Sequence, residues 1–478
     1  MLLALLTMTM PDRNSDHDAL LARAEAAVRE AIPIAEADPL RPSYHFRPPA
    51  RWMNDPNGTI YHDGWYHVFY QFNPYGDEWG NMHWGHARSR DLVKWEHLPI
   101  ALPPSKAAGE EHVYSGSTFV APDGTPTIFY TSIGSRAPEQ WIARPLDREL
   151  IRWTKPASNP ALTVADNAPG TIDEWRDPFP ISYGGRTYLL TGGRQDGHGV
   201  VMLHRAKDAT LTRWEPVGVL FRHPDADLIE CPNLARVGSR WVLLVSAHGR
   251  VEARTGTFTP KAGGFGAERT SVLQDGSYAS QLLRDARGRV IHLAWVRMPG
   301  GIKGWNGCLT LPNVLTVGRD GDLRARPVEA LTELRQKTET LRDRTLDAEE
   351  TLKVGSGDRV EIELEVDPGS AHTVTLHLRA GANGEHGTKI VYDALARTLR
   401  LHDRHPAGLA ERTLRLHVFI DGGLIEMYAD GGRLVMSHYL AAAPDEKGIR
   451  LTAEGGSAQI RTLKLHTLRP ATFTPSRL

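Results

Sequence analysis

The sequence predicts an all-β protein, a five-bladed β-propeller followed by a C-terminal β-sandwich. Three observations lead there. A hairpin signature recurs five times between residues 42 and 325. A Trp-containing strand recurs in phase with it, and after residue 345 apolar residues alternate with period two.

The hairpin is clearest in "TIYHDGWYHVFYQF", a strand, an Asp-Gly turn and a second strand. It returns as "STFVAPDGTPTIFYTS", "FPISYGGRTYLLTGG", "NLARVGSRWVLLVSA" and "QLLRDARGRVIHLAWV". The turn glycines are Gly64, Gly124, Gly185, Gly238 and Gly288, spaced 60, 61, 53 and 50 residues apart. About half a period after a hairpin come "SRDLVKWEHLP", "DRELIRWTKPA" and "KDATLTRWEPV", with Trp95, Trp153 and Trp214. These read as the outer part of the same unit. A unit of this length with about four short strands is a propeller blade.

Other elements flank the repeats. Residues 1–41 read as a leader and a helix over 15–36, with Ser15 and Asp18 as a capping box and Leu21, Ala24, Val28 and Ile32 on one face. "MLLALLTMTM" is apolar but follows no basic residue and is too short to span a bilayer, so Met8 and Met10 are alternative starts. The expected location is cytoplasmic, with secretion as the alternative. Residues 326–344 carry Leu331, Leu334 and Leu341 at helical spacing and predict a linker helix. From 345 to 478, stretches such as Val360, Ile362, Leu364 and Val366 predict the sandwich.

Composition narrows the function. The chain has 478 residues and a net charge of -1, which gives no electrostatic case for a nucleic-acid or membrane partner. Two cysteines, Cys231 and Cys308, make no disulfide framework. His83 and His86 in "HWGH" point to opposite faces of a strand, and neither metal nor cofactor is expected. Oligomeric state is open, with a homodimer among the options.

Inner strands of a propeller line its channel, so residues at their starts converge. Those stretches are Asn54-Asp55-Pro56, Tyr114-Ser115-Gly116, Arg176-Asp177-Pro178, Glu230-Cys231-Pro232 and "GSYASQ". Aligned on their prolines, Asp55, Asp177 and Cys231 are equivalent and Glu230 is offset by one. Asp55, Asp177 and Glu230 therefore meet at one end of the channel. Crowded carboxylates split their pKa values, which suits glycosyl transfer: one attacks the anomeric carbon and one protonates the leaving oxygen. Trp52, Trp79, Trp84, Trp305, Tyr70, Tyr114 and Tyr278 supply faces for a sugar, and Gln71 and Asn54 supply hydrogen bonds.

With these residues in place, the chain resembles glycoside hydrolase family 32, the invertase/levanase β-fructofuranosidases. The matching pieces are "YHFRPPARWMNDPNG", "FYQFNP", "WGHARSRDLVKWEHLPIAL", "YSGS", "WRDP", "ECPN", "GWNGCLTLPNVL" and "HVFIDGGLIEMYADGG". The resemblance implies a retaining mechanism with Asp55 as nucleophile, Glu230 as general acid/base and Asp177 as the transition-state stabiliser. It assigns Asn54, Gln71, Trp79, Ser115 and Arg176 to the terminal fructosyl unit and Trp305 to the pocket rim. Tyr114, "GSYAS", "LPNVL" and "IDGG" depart from the family pattern, which bears on substrate preference. Retention also implies Asp55 and Glu230 carboxyls about 5–5.5 Å apart. Fructosyl transfer on the same site and non-catalytic sugar binding are the competing readings. A phosphorylated substrate would call for a rim cation such as Arg51, Lys106 or Lys303.

Overall fold

The computed structural model describes residues 13–168 and 170–475, with side chains from residue 18 onward in the first helix. Five antiparallel sheets form the blades. Blade one runs Arg51–His62, Trp65–Asn73, His83–Ser89 and Trp95–Leu102 from channel to rim. Blade two is Glu110–Val120, Pro126–Gly134, Glu139–Pro145 and Trp153–Thr154. Blade three is Asp173–Tyr183, Arg186–Gln195, His198–Ala206 and Trp214–Arg222. Blade four is Glu230–Val237, Arg240–Ala247, Arg250–Phe258 and Phe265–Asp275. Blade five is Ser277–Arg284, Val290–Val296, Asn313–Val317 and Leu323–Pro327. Each inner strand packs on the next, and the fifth returns to the first, closing the ring.

The repeats explain the blades. All five turn glycines have positive φ, between 59° and 84°, which tight hairpin turns require. Trp95, Trp153 and Trp214 each open an outermost strand and are buried. Ahead of each, Leu92, Leu150 and Leu211 are buried at φ 67°, 60° and 56°. Asp91, Asp147 and Asp208 hold these turns by accepting backbone N–H groups from Val93, Ile151 and Thr212.

The first helix spans Arg13–Glu36 and buries Ala24, Val28, Ala31 and Ala35 against the propeller. Leu21 and Ile32 pack beside them. The helix begins at Arg13, so Ser15 lies within it rather than at the N-cap the sequence predicts, and Met8 and Met10 lie outside the described residues. No helix among the described residues is long and apolar enough to cross a membrane.

The expected linker helix over 326–344 is not there. Glu329–Leu334 is a 3-10 turn that buries Leu331 and Leu334, and Arg335–Leu346 is a strand paired with Ala458–Leu468. Leu331 and Leu334 keep helical spacing because they lie in that turn, whereas Leu341 belongs to the strand, which lies at a sheet edge and is mostly exposed, so a short helical turn running into a charged edge strand imitates one amphipathic helix.

Two sheets pack face to face around a core of their own, which includes Val360, Ile362, Leu364 and Val366. One of them continues a blade: Gln274 and Asp275 of blade four pair in parallel with Val435 and Met436 of the sandwich. After the last sandwich strand, Phe473 and Thr474 return to pair with Trp95 and Glu96 on the outer edge of blade one.

Candidate active site

Each inner strand carries a β-bulge near its start. Asn54-Asp55 oppose Gln71, Tyr114-Ser115 oppose Thr131, Asp177-Pro178 oppose Thr191, Cys231-Pro232 oppose Val245, and Ala279-Ser280 oppose Ala294. A bulge turns side chains out of the regular alternation. Five at one level aim their residues at the channel mouth. They also correct the alignment on prolines: Asp55 occupies the second bulge position and Asp177 the first. The bulge in blade one lies one residue earlier relative to its proline.

The structure brings the three acidic residues together. Asp55 accepts the Ser115 hydroxyl at 2.6 Å on Oδ2 and the Asn54 amide at 2.9 Å on Oδ1. The Cys231 thiol lies 3.8 Å from Asp55 Oδ2. Asp177 Oδ2 accepts the Cys231 N–H at 2.8 Å, while its own N–H donates to Thr131 Oγ1 at 3.0 Å. Glu230 Oε1 accepts Arg176 Nε and Nη2 at 3.2 and 3.1 Å, and Oε2 accepts the Tyr278 hydroxyl at 2.6 Å. Arg176 also donates to Glu174 Oε2 at 2.6 Å. Trp52 Nε1 donates to Asn54 Oδ1 at 2.9 Å and so fixes the amide that holds Asp55.

The electrostatics are those of crowded carboxylates. Burial pushes Asp177 up to about 7; Glu230 and Asp55 push the same way, and the Arg176 guanidinium opposes them. Burial also raises Asp55, against the hydrogen bonds of Ser115 and Asn54 and with the Glu230 charge. Burial beside three carboxylates raises the Cys231 thiol, so it is a neutral packing group and no nucleophile.

The remaining expectations divide. Trp79 is 52% exposed on the loop after the second strand and packs on His112 and Tyr114 at 5.3 and 6.1 Å. Gln71 is buried and donates to the Val113 carbonyl at 2.8 Å, joining blades one and two. Trp305 does not reach the rim. It is fully buried, its indole donates to Asp38 Oδ2 at 2.9 Å, and it pairs beside Arg51 at the blade-five crossover. Trp84 and Tyr70 are buried in blade packing. Arg51 is engaged by Asp77 and the Ala27 carbonyl at 3.5 and 3.4 Å.

Thr131 and the Cys231 N–H were not legible as site groups, because both act across blades. Tyr278 was legible only as an aromatic. Its register gives the stronger signal, since it directly precedes the bulge of blade five as Glu230 does that of blade four. Arg297 is a further addition, exposed and lying over the rings of Tyr278 and Trp295 at 5.6 and 5.5 Å. Two groups of potential metal ligands, His223/His248/Glu252 and Glu361/Glu363/His417, each already hold an arginine, Arg254 and Arg335 respectively. A cation there would face a fixed positive charge.

A propeller channel that gathers three acidic side chains beside hydrogen-bond donors and rim aromatics has the build of a glycoside hydrolase. Two family models match this chain: "Glycosyl hydrolases family 32 N-terminal domain" over residues 45–327 and "Glycosyl hydrolases family 32 C terminal" over 328–467. The chain belongs to glycosyl hydrolase family 32. It is 30% identical to the sucrose-6-phosphate hydrolase of Zymomonas mobilis, over 94% of this chain and 96% of that one. It is 28% identical to the Escherichia coli sucrose-6-phosphate hydrolase, over 88% and 93%. The solved sucrose-6-phosphate hydrolase of Lactobacillus gasseri superposes with a TM-score of 0.81 at 25% identity, covering 93% of this chain and 96% of that one.

Proposed function

We propose that the protein is a retaining β-fructofuranosidase that releases terminal β-D-fructofuranosyl units from sucrose or a related fructoside. The observation that supports this best is the linked trio: Asp55 and Asp177 joined through Cys231, with Glu230 held between Arg176 and Tyr278. Ser115 and Asn54 donate to the two oxygens of Asp55 and set its plane. Asp55 attacks the anomeric C2 while Glu230 gives its proton to the departing oxygen. The C2–O bond to the leaving group breaks as the C2–O bond to Asp55 forms. Asp177 binds fructosyl hydroxyls and supports the positive charge that develops on the ring. Glu230 then takes a proton from water, which attacks C2, frees Asp55 and releases fructose with retained configuration.

Asp55→Asn tests the reading. Turnover should fall by about 10³-fold or more, as for loss of a covalent nucleophile, with circular dichroism unchanged. Substrates are sucrose, sucrose 6-phosphate, inulin and levan, scored for free fructose and for the anomer first formed by NMR. Turnover retained by the mutant, or an inverted first product, overturns the mechanism. Oligosaccharide products at high sucrose would assign transfer rather than hydrolysis.

A further inference from the structure

We propose that Arg404, in the sandwich, is a positioning residue for Glu230, acting through Tyr278 across the domain boundary. This rests on the reading of Glu230 as the acid/base. The last strand of blade four ends at Asp275 and the inner strand of blade five begins at Ser277, with Tyr278 next. Gly276 forms the corner between them at φ 89°. A Cβ at Gly276 would lie 2.0 Å from the Ser437 carbonyl oxygen and 2.5 Å from Arg404 Nη2, so the sandwich sits directly on this corner.

Arg404 fastens it. Nη1 donates to Asp275 Oδ1 at 2.7 Å and Nε donates to the Ser437 carbonyl at 3.0 Å. One planar guanidinium thus ties the blade-four strand end to the sandwich strand Leu434–Tyr439, beside the Asp275–Met436 pairing. Beyond the corner, Ser277 Oγ donates to Gln274 Oε1 at 2.6 Å and the Ala279 N–H donates to Ser246 Oγ at 3.0 Å. Tyr278 is held between these two anchors, and its hydroxyl reaches Glu230 at 2.6 Å. A bond that short fixes direction as well as distance. Two residues separate Asp275 from Tyr278, so a shift of the corner carries directly to the phenol. The sandwich therefore helps to aim the acid/base carboxylate through the corner at Gly276.

The test is a double-mutant cycle in the full chain, with fructose release from sucrose as the readout. Arg404→Met should lower kcat about 10-fold and leave KM within about 2-fold, the signature of misaligned chemistry rather than lost binding. Arg404→Lys should recover most of that loss. In a Tyr278→Phe background, Arg404→Met should cost less than about 2-fold more. Multiplicative losses in the double mutant overturn the proposal, as does an Arg404→Met protein with lowered melting temperature but normal kcat. If Arg404→Met does not fold, Asp275→Asn, alone and paired with Tyr278→Phe, carries the same criterion. Glu230→Gln is the control: normal turnover there strikes the acid/base reading itself. An inactive Glu230→Gln with multiplicative Arg404 and Tyr278 losses strikes only the domain coupling.

Discussion

Asp177 holds a backbone conformation uncommon for a side-chain-bearing residue, φ 61°, and Cys231 and Ala279 repeat it at the first bulge position of blades four and five. The strain is held locally by the Asp177 N–H on Thr131 and the Cys231 N–H on Asp177. Asp177 is 5% exposed, and burial lifts it to about 7 from an ordinary 3.8. A raised carboxyl pKa means that the folded state disfavours the anion. The cost is complete above pH 7 and shrinks as pH falls from 7 toward 4. Asp177→Asn removes the charge and keeps an oxygen for the Cys231 N–H. Calorimetry should show Tm higher by about 2–4 °C at pH 8, with the gain shrinking toward pH 5. Activity should fall about 10²-fold or more, because a neutral amide supports a cationic ring poorly. A Tm gain that is flat with pH would show that ionisation of Asp177 is not its source.

At the scale of elements, blades one, two and three are each fastened by an Asp-Leu-Trp turn on the face opposite the channel mouth. In blade one, Asp91 Oδ1 accepts the N–H groups of Val93 and Lys94 at 2.9 and 2.7 Å and lets Leu92 adopt its left-handed conformation inside the core. Asp91→Ala leaves those donors to solvent and should cost about 1–2 kcal/mol, with kcat/KM for sucrose unchanged. Impaired kcat/KM would mean that this face communicates with the site. Such turns are local, which is why the blades could be read from sequence: Gly64, Gly124 and their equivalents, and the Asp-Leu-Trp runs, state their geometry within a few residues. The trio was legible for the same reason, because periodicity places Asp55, Asp177 and Glu230 at strand starts. Long-range pairing was not legible. Arg335–Leu346 finds its partner more than a hundred residues later, at Ala458–Leu468, so Leu341 continues the helical spacing of Leu331 and Leu334 only by coincidence. Trp305 looked like a rim aromatic because nothing near it in sequence reveals the Asp38 carboxylate that takes its indole.

At the scale of the whole molecule, the two β domains are locked by a buried charge pair just ahead of the strand Arg51–His62. Asp421 of the sandwich is fully buried and accepts the N–H groups of Ser43, Tyr44 and His45 at 2.6, 2.8 and 2.8 Å. His45 Nδ1 meets the same carboxylate at 2.9 Å, and Nε2 lies 3.7 Å from Glu426. Burial disfavours the imidazolium, but these two carboxylates overcome it and raise His45 to about 9; Asp421 is correspondingly lowered. The signs follow from linkage. A raised histidine stabilises the fold fully below its unfolded value of about 6.5, and that contribution is lost as pH rises through 9. A lowered carboxylate contributes above its unfolded value of about 4 and loses that contribution only in acid. The lock is therefore complete between about pH 4 and 6.5 and weakens toward pH 9. The buried histidines His67, His97, His204 and His292 act in the opposite sense, since burial lowers each to about 3 or 4 and keeps it neutral. They cost nothing above about pH 6.5; below it the unfolded chain binds protons that the folded chain refuses, so stability declines toward about pH 3–4. Net stability should accordingly peak near neutral pH and decline on both sides for different reasons. His45→Gln isolates the alkaline limb: urea unfolding at pH 7, 8 and 9 should show lower stability at pH 7 and a flatter alkaline slope. An alkaline slope equal to that of the parent would place its origin outside the His45–Asp421 pair.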